Sequence, residues 1–130
     1  MKYIDTSPMG VNYNPLLYEG DSMIKREFSG EIHKADVLMM ASEIVSNDSQ
    51  IVIAYSRQEE NGKVAVIEDN YVFDDGYYCN TTHWYYKTSS GVRNSTKNYL
   101  SLEKMVEEIV EYVNGDFEDG ESIRVFIETL

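Results

Sequence analysis

The densest group of chemically capable side chains lies in DNYVFDDGYYCNTTHWYYK, residues 69–87, which holds the single cysteine, Cys79, and the single tryptophan, Trp84. Cys79 and His83 could each ligate a metal, but a tetrahedral zinc site needs three or four protein ligands. A cysteine nucleophile needs a base and an orienting group within hydrogen-bond reach, and nothing in the sequence places His33 near Cys79. We therefore predict no metal site, no cofactor and no catalytic residue, and interpret Cys79 as a small apolar side chain in a strand.

Carboxylate pairs are frequent because 23 of the 130 residues are Asp or Glu. At that frequency a pair such as Glu59-Glu60 is expected by chance, so no pair is assigned as a general acid and base. The sequence contains no glycine-rich phosphate loop, no serine-centred elbow and no His-Glu-x-x-His motif. The chain is accordingly predicted not to be an enzyme.

The net charge is the strongest global property of the sequence. Eleven Lys and Arg against 23 acids give a formal charge of −12, beyond the magnitude of about 2–8 that suits the solubility of a small domain. Such a field repels nucleic acid and anionic membranes, so we expect no direct binding to either. It favours a basic partner, in particular a protein that acts on nucleic acid; an acidic proteome or a need for solubility is the alternative.

Acidic residues are concentrated after residue 102 and absent from residues 76–102. Four glutamates fall in one predicted helix, several of them four residues apart, and DFEDGE follows at 116–121. Like charges at i and i+4 destabilise a helix, and a chain that needed only solubility could carry lysines there; taken alone, however, the four glutamates are more simply explained as a solvated helix face. Together with DFEDGE they are predicted to form an acidic ridge suited to a cleft lined by Arg and Lys.

Cysteine content and the N-terminal sequence bear on the compartment. One cysteine excludes an intramolecular disulfide and suits a reducing compartment. MKYIDTSPMGVNYNP lacks the apolar region of a signal peptide, and no apolar run approaches the roughly 18 residues of a membrane span. We expect a cytoplasmic protein.

The first half of the chain predicts a short helix followed by a hairpin. Residues 1–30 are rich in turn formers and are predicted to be irregular, with short extended pieces around Lys2–Ile4 and Met23–Phe28. From about Ile32 to Val45 the apolar residues have helical spacing. IVIAYS (51–56) and KVAVIE (63–68) are predicted to form a hairpin, with Asn61-Gly62 at the turn.

The second half predicts more strands, a second helix and a closing strand. NYVF and YYC flank a turn at Asp74-Asp75-Gly76, HWYYKT (83–88) extends the sheet, and residues 89–98 form a polar loop. Ser101 caps a helix that ends at Asn114-Gly115, and SIRVFIETL alternates as a strand. We predict one α+β domain over residues 1–130, in which residues 31–130 form a single antiparallel β-sheet with two main helices packed on it.

Alternation along the strands divides the aromatic side chains between two faces. Trp84 and Tyr86 share one face, whereas His83, Tyr85 and Lys87 take the other. One set is expected to fill the core and the other to mark a partner-binding face, because Tyr and Trp are enriched in interfaces. The predicted partner-binding residues are Asp74, Asp75, Tyr78, Trp84, Tyr86, Glu103, Glu107, Glu108, Glu111, Asp116, Glu118 and Asp119.

From Ala35 onward the order of elements resembles that of small cytoplasmic immunity proteins that neutralise polymorphic toxins, in particular nucleic-acid deaminase toxins. The resemblance includes a late helix that opens Ser-x-Glu-x-Met and leads through a polar turn to a terminal strand; Ser101, Glu103 and Met105 stand in those positions. Phe126 occupies the last strand, where that family has a tryptophan. The resemblance implies an inhibitor that blocks the active cleft of a toxin.

Three other functions remain open at this point. A phage-encoded anti-defence inhibitor, such as an anti-CRISPR or anti-restriction protein acting as a DNA or RNA mimic, has a similar size, charge and fold class. A small enzyme or ligand-binding domain could use an aromatic pocket, lined by Tyr77, Tyr78, His83 and Trp84. A structural or assembly protein of a phage particle is the third.

Overall fold

The protein is described by a computed structural model that covers residues 24–46, 48–87 and 94–130. The elements of this part of the chain, in order, are β1 Ile24–Phe28, α1 Lys34–Val45, β2 Ser49–Gln58, β3 Val64–Asp74, β4 Tyr77–Tyr86, β5 Asn94–Leu100, α2 Leu102–Val113 and β6 Glu121–Thr129.

The strands form one antiparallel sheet in the order β1-β6-β2-β3-β4-β5. Successive hairpins join β2, β3 and β4, and β6 is inserted between β1 and β2. The sheet has two ends, which we name by the glycines of its turns: the Gly62 end, at the β2–β3 turn, and the Gly76 end, at the β3–β4 turn. The predicted α+β fold with a single antiparallel sheet and two helices is confirmed.

The strands are longer than their apolar runs predicted. VAVIE (64–68) and NYVF belong to one strand, β3, and YYC and HWYY belong to one strand, β4. Ile24–Phe28 forms β1 within the segment predicted to be irregular, at the position of the predicted extended piece. The other piece, Lys2–Ile4, lies outside the described residues.

The predicted polar loop at 89–98 is wrong in its second half, because Asn94–Leu100 forms β5. This strand is rich in Asn, Ser and Thr and pairs with β4 over its whole length, with Asn98 opposite Asn80 and Leu100 opposite Tyr78. Strand propensity depends strongly on the neighbouring strand, so the established edge of β4 outweighs the polar composition of β5.

Both helices pack on one face of the sheet, which we call the helix side. Alternate residues of each strand point to this face, and they meet the apolar stripes of α1 and α2 in a continuous core. The most completely buried members of the core are Val37, Met40, Ile44, Ile51, Ile53, Met105, Ile109 and Ile127.

Side-chain hydrogen bonds mark both ends of α2. Ser101 accepts a hydrogen bond from the Lys104 backbone N–H at 3.1 Å, which confirms the predicted cap of α2. Asn114, after the last residue of α2, accepts from the Ile32 backbone N–H at 2.9 Å and donates to the Ile32 carbonyl at 2.7 Å. This pair of bonds holds the end of α2 against the start of α1, so the helices run antiparallel.

The opposite face, the far side, is also closed to solvent at its centre. Val52, Val66 and Phe126 are at most 1% exposed there. The Arg124 guanidinium donates two hydrogen bonds, at 2.8 and 2.9 Å, to the Glu27 carboxylate. A buried charge is tolerated when it is paired in this two-pronged geometry.

Candidate partner-binding surface

The glutamates of α2 do not form one ridge, because the helix distributes them over two flanks. Successive residues turn by 100°, so Glu103, Glu107 and Glu111 lie one turn apart along the flank next to α1, and all three are exposed. We call these three residues the acidic flank of α2. Glu108 lies on the other flank and is half-buried.

An open groove of about 1050 Å³ runs between the acidic flank and α1. Its apolar lining comes from both helices, and the exposed fractions of Leu38 and Leu102 are 47% and 37%. Lys34 and Lys104 line it as well, and the Lys104 Nζ lies 3.5 Å from a Glu107 carboxylate oxygen. The full lining is Lys34, Leu38, Ser101, Leu102, Glu103, Lys104, Val106, Glu107, Val110 and Glu111.

Glu108 faces the strands rather than the groove. Its charge contributes, after burial and the Asp69 charge, to raising the pKa of Tyr71, a buried residue of β3. The pKa of Tyr112 on the same flank is raised by burial and then by Asp69. Asp69 itself accepts a hydrogen bond from the Thr82 hydroxyl at 2.5 Å.

The acidic connection between α2 and β6 lies at the Gly62 end and is anchored by aromatic and carboxylate contacts. Phe117 packs against Tyr55 with ring centroids 6.0 Å apart. Tyr55 donates a hydrogen bond to Glu121, whose other carboxylate oxygen accepts from the Glu118 N–H at 2.6 Å. Burial, then the Glu121 carboxylate, raises the pKa of Tyr55 to about 12, and the Tyr55 hydrogen bond lowers the pKa of Glu121. The connection leaves Asp116, Glu118 and Asp119 exposed.

Asp74 and Asp75 lie at the other end of the sheet. They are exposed in the β3–β4 turn, where Asp75 has φ +52° and Gly76 has φ +85°. Two consecutive positive φ angles are typical of a tight hairpin turn that selects Asp-Gly. The turn therefore accounts for Asp75, and the structure brings neither Asp75 nor Asp74, the last residue of β3, next to the connection at 116–119.

The three predicted aromatic binding residues are on the helix side but are not together. Trp84 and Tyr86 are half-buried at the Gly62 end, with ring centroids 5.0 Å apart, and the Tyr86 hydroxyl donates to Glu59 at 3.2 Å. Tyr78 lies about 20 Å along β4 from Trp84 at the strand rise per residue. It packs against Phe73, with centroids 5.0 Å apart, beside the core.

Two tyrosines that the sequence did not single out together are the most exposed aromatic residues of the described chain. Tyr77 and Tyr99 are 62% and 61% exposed on the far side, and their rings meet edge to face at 6.2 Å. The Lys97 ammonium lies 5.7 Å from the Tyr99 ring centre. Their contact depends on β5, so no sequence signal could have indicated it once β5 was predicted as loop.

The four residues of the alternative aromatic pocket are divided between the two faces. Tyr77 and His83 point to the far side, whereas Tyr78 and Trp84 point to the helix side, as the pairing of β4 with β3 requires. They cannot line one pocket. Cys79 is buried and lies about 13 Å along the strand from His83, so the two do not form a catalytic or metal-binding pair, and residues 24–46, 48–87 and 94–130 contain no group of three potential metal ligands.

His83 instead faces Glu68 across β3 and β4. Burial raises the pKa of Glu68, while the Tyr85 hydroxyl, which donates to Glu68 at 3.1 Å, and the His83 charge act against it. The Nδ1 atom of His83 is buried without a hydrogen-bond partner. This far-side cluster was not predicted as a site.

Comparison of the chain with protein-family models, curated proteins and solved structures found no match. Neither α1 nor α2 has the length and apolar character that a membrane-spanning helix requires.

Proposed function

We propose that the protein is an inhibitor that binds a basic protein acting on nucleic acid, and that it serves as the immunity protein of a bacterial toxin. The observation that carries the proposal is the acidic flank of α2 beside an exposed apolar groove. Exposed acids border apolar side chains there, so one surface can attract a basic partner and bury area against it. The net charge of −12 disfavours nucleic acid itself as that partner.

Charge and apolar contact have separable roles in such a complex. Exposed charges raise the association rate and make it sensitive to salt, whereas desolvated apolar and aromatic contacts control dissociation. The acids at 116–119 continue the negative surface from α2 toward the Gly62 end, where Trp84 and Tyr86 are half-buried. The partner is inhibited if this surface covers the cleft in which the partner binds the phosphate backbone of its nucleic acid.

The experiment is capture of the partner with the tagged full chain from cells of the encoding organism, followed by an activity assay of the purified partner. We expect a basic protein that cleaves or modifies nucleic acid, and that loses this activity at stoichiometric amounts of the inhibitor. A partner that does not act on nucleic acid, or one that remains active in the saturated complex, would overturn the proposal.

Paired charge reversals test the surface. Glu107→Lys with Glu111→Lys should slow association by roughly tenfold or more at low ionic strength. Asp48→Lys with Asp74→Lys changes the net charge equally at exposed positions of the Gly76 end, away from the groove, and should slow association much less. Equal effects of the two double variants would show that net charge alone, and not this surface, drives association.

A further inference from the structure

We propose that the groove between α1 and α2 binds an amphipathic helix of the partner, with apolar side chains on the groove floor and Lys or Arg side chains beside the acidic flank. This inference rests on the proposed function, because it names the segment through which a basic partner would bind.

The dimensions of the groove fit a short helix. It follows α2 from Ser101 to Glu111, which at 1.5 Å per residue is about 15 Å, or about three helical turns. Its floor contains Leu102, Val106 and Val110 from α2 and Leu38 from α1. These side chains are positioned to contact the apolar stripe of one helix, with anchors at i, i+3, i+4 and i+7.

The main-chain groups around the groove favour a helix over an extended segment as the bound segment of the partner. A strand binds through main-chain hydrogen bonds to an open sheet edge, but both walls of this groove are helices whose main-chain groups bond internally. An extended segment lying here would leave its own N–H and C=O groups without protein partners. A helix satisfies these groups itself and needs only side-chain contacts.

Charge complementarity identifies the occupant as basic. Glu103, Glu107 and Glu111 repeat every turn, at a spacing of about 5–6 Å between Cβ atoms, so basic residues one turn apart on the bound helix can each lie beside one of them. The lining also contains two lysines, Lys34 and Lys104. The charge of Lys104 is offset by Glu107, which lies within ion-pair distance of it. Neither described helix of a second copy is basic, since α2 carries four glutamates and one lysine and α1 carries two acids and one lysine, so either would place acids against the acidic flank.

The test uses synthetic peptides and the isotope-labelled full chain in an NMR titration. The first peptide, of about 15 residues, places leucines along one helical stripe and lysines one turn apart on its flank. The second has the same composition in an order that forms no stripe. We expect the first to bind at least about tenfold more tightly, with its largest shift changes at Leu38, Leu102 and Val110. Equal affinity of the two peptides, or shift changes that map elsewhere, would overturn the inference.

Adjacent residues of α1 supply a matched control. Leu38 lines the groove, whereas Met39 is outside it. The two side chains are similarly exposed, Leu38 to 47% and Met39 to 40%. Leu38→Gln should weaken binding of the first peptide by about tenfold, and Met39→Gln should leave it within about twofold. Equal effects of the two variants would contradict binding in the groove.

The outcomes separate this inference from the proposed function. If a captured basic partner is inhibited and responds to reversal of Glu107 and Glu111, but not to Leu38→Gln, the proposed function stands and the groove inference fails. If the peptides behave as expected but the captured partner does not act on nucleic acid, the groove inference stands and the proposed function fails.

Discussion

At the scale of single residues, Glu68 and Glu121 are two carboxylates whose surroundings act on their ionisation in opposite directions. Glu68 lies on the far side of the sheet, where burial raises its pKa. Glu121 accepts hydrogen bonds from Tyr55 and from the Glu118 N–H, and these lower its pKa. The two residues should therefore affect the pH dependence of stability with opposite signs.

Glu68→Gln should stabilise the protein at neutral pH. Since the pKa of Glu68 is higher in the folded than in the unfolded state, ionisation costs the folded state free energy above the folded-state pKa, and this cost disappears below the unfolded value, about 4.3. Gln can still accept the Tyr85 hydrogen bond. We expect a higher melting temperature than wild type at pH 7, by about 4 °C per kcal/mol, and no difference near pH 4. A lower melting temperature at pH 7 would contradict this account.

Glu121→Gln should destabilise the protein at neutral pH. A carboxyl whose pKa is lower in the folded state contributes stability above its unfolded pKa, and this contribution is lost as pH falls through the folded-state value. The variant should therefore melt below wild type at pH 7, and the difference should shrink as the pH is lowered through the acid range. A difference that stays constant with pH would show that the loss comes from contacts other than the ionised carboxylate.

The residue scale also shows which features of the site could be predicted from the sequence. The exposed acids of α2 were predictable, because helical periodicity separates them from the apolar stripe. The division of Tyr77, Tyr78, His83 and Trp84 between two faces follows from strand alternation and could have been predicted too. The contact of Tyr77 with Tyr99 could not, since it requires the pairing of β4 with an unpredicted strand.

At the scale of elements, the connection between α1 and α2 depends on one side chain. The Asn114 side chain makes two hydrogen bonds to the backbone of Ile32, which is buried and lies 82 residues earlier in the chain. The sequence predicted Asn114 only as a stop signal for α2. Local pattern predicts where a helix ends, but it cannot show what the end residue binds at long range.

Asn114→Ala should lower the free energy of unfolding by about 1–3 kcal/mol, because it leaves the N–H and C=O of Ile32 without these partners. Chemical denaturation measures the change. Ser101→Ala, which removes the cap at the other end of α2, should cost about 1 kcal/mol and serves as the comparison. A loss below about 0.5 kcal/mol for Asn114→Ala would show that solvent replaces both bonds at no cost.

Among the helices and strands, those with a clear apolar period were predicted from the sequence. Both helices and the β2–β3 hairpin were predicted because one face of each is apolar and a cap or an Asn-Gly turn bounds it. β5 was missed because its Asn, Ser and Thr residues resemble a loop, and its strand conformation depends on β4. The α1–α2 groove was also missed, since it depends on how two separately predicted helices pack.

At the scale of the whole molecule, the charge of −12 acts on folding as well as on binding. Self-repulsion at high net charge destabilises the compact state, and the acidic flank of α2 adds like charges at i, i+4 spacing within one element. Functional surfaces commonly reduce stability in this way. The acidic flank is therefore expected to favour partner binding at a measurable cost to the free protein.

The loss of stability caused by this repulsion should be visible in the salt dependence of the melting temperature. The screening length falls from about 30 Å at 0.01 M to about 8 Å at 0.15 M ionic strength, so the melting temperature of wild type should rise over this range of NaCl. Glu111→Lys should raise it at 0.01 M and reduce its dependence on salt, because the i, i+4 repulsion between Glu107 and Glu111 becomes attraction while the Lys104–Glu107 pair is kept. Asp74→Lys, at an exposed position of the Gly76 end, reduces the net charge equally, so a larger effect of Glu111→Lys measures the contribution of clustering. If Glu111→Lys is less stable than wild type at 0.01 M, Glu111 stabilises α2 instead, and the acidic flank is not retained for binding at the expense of folding.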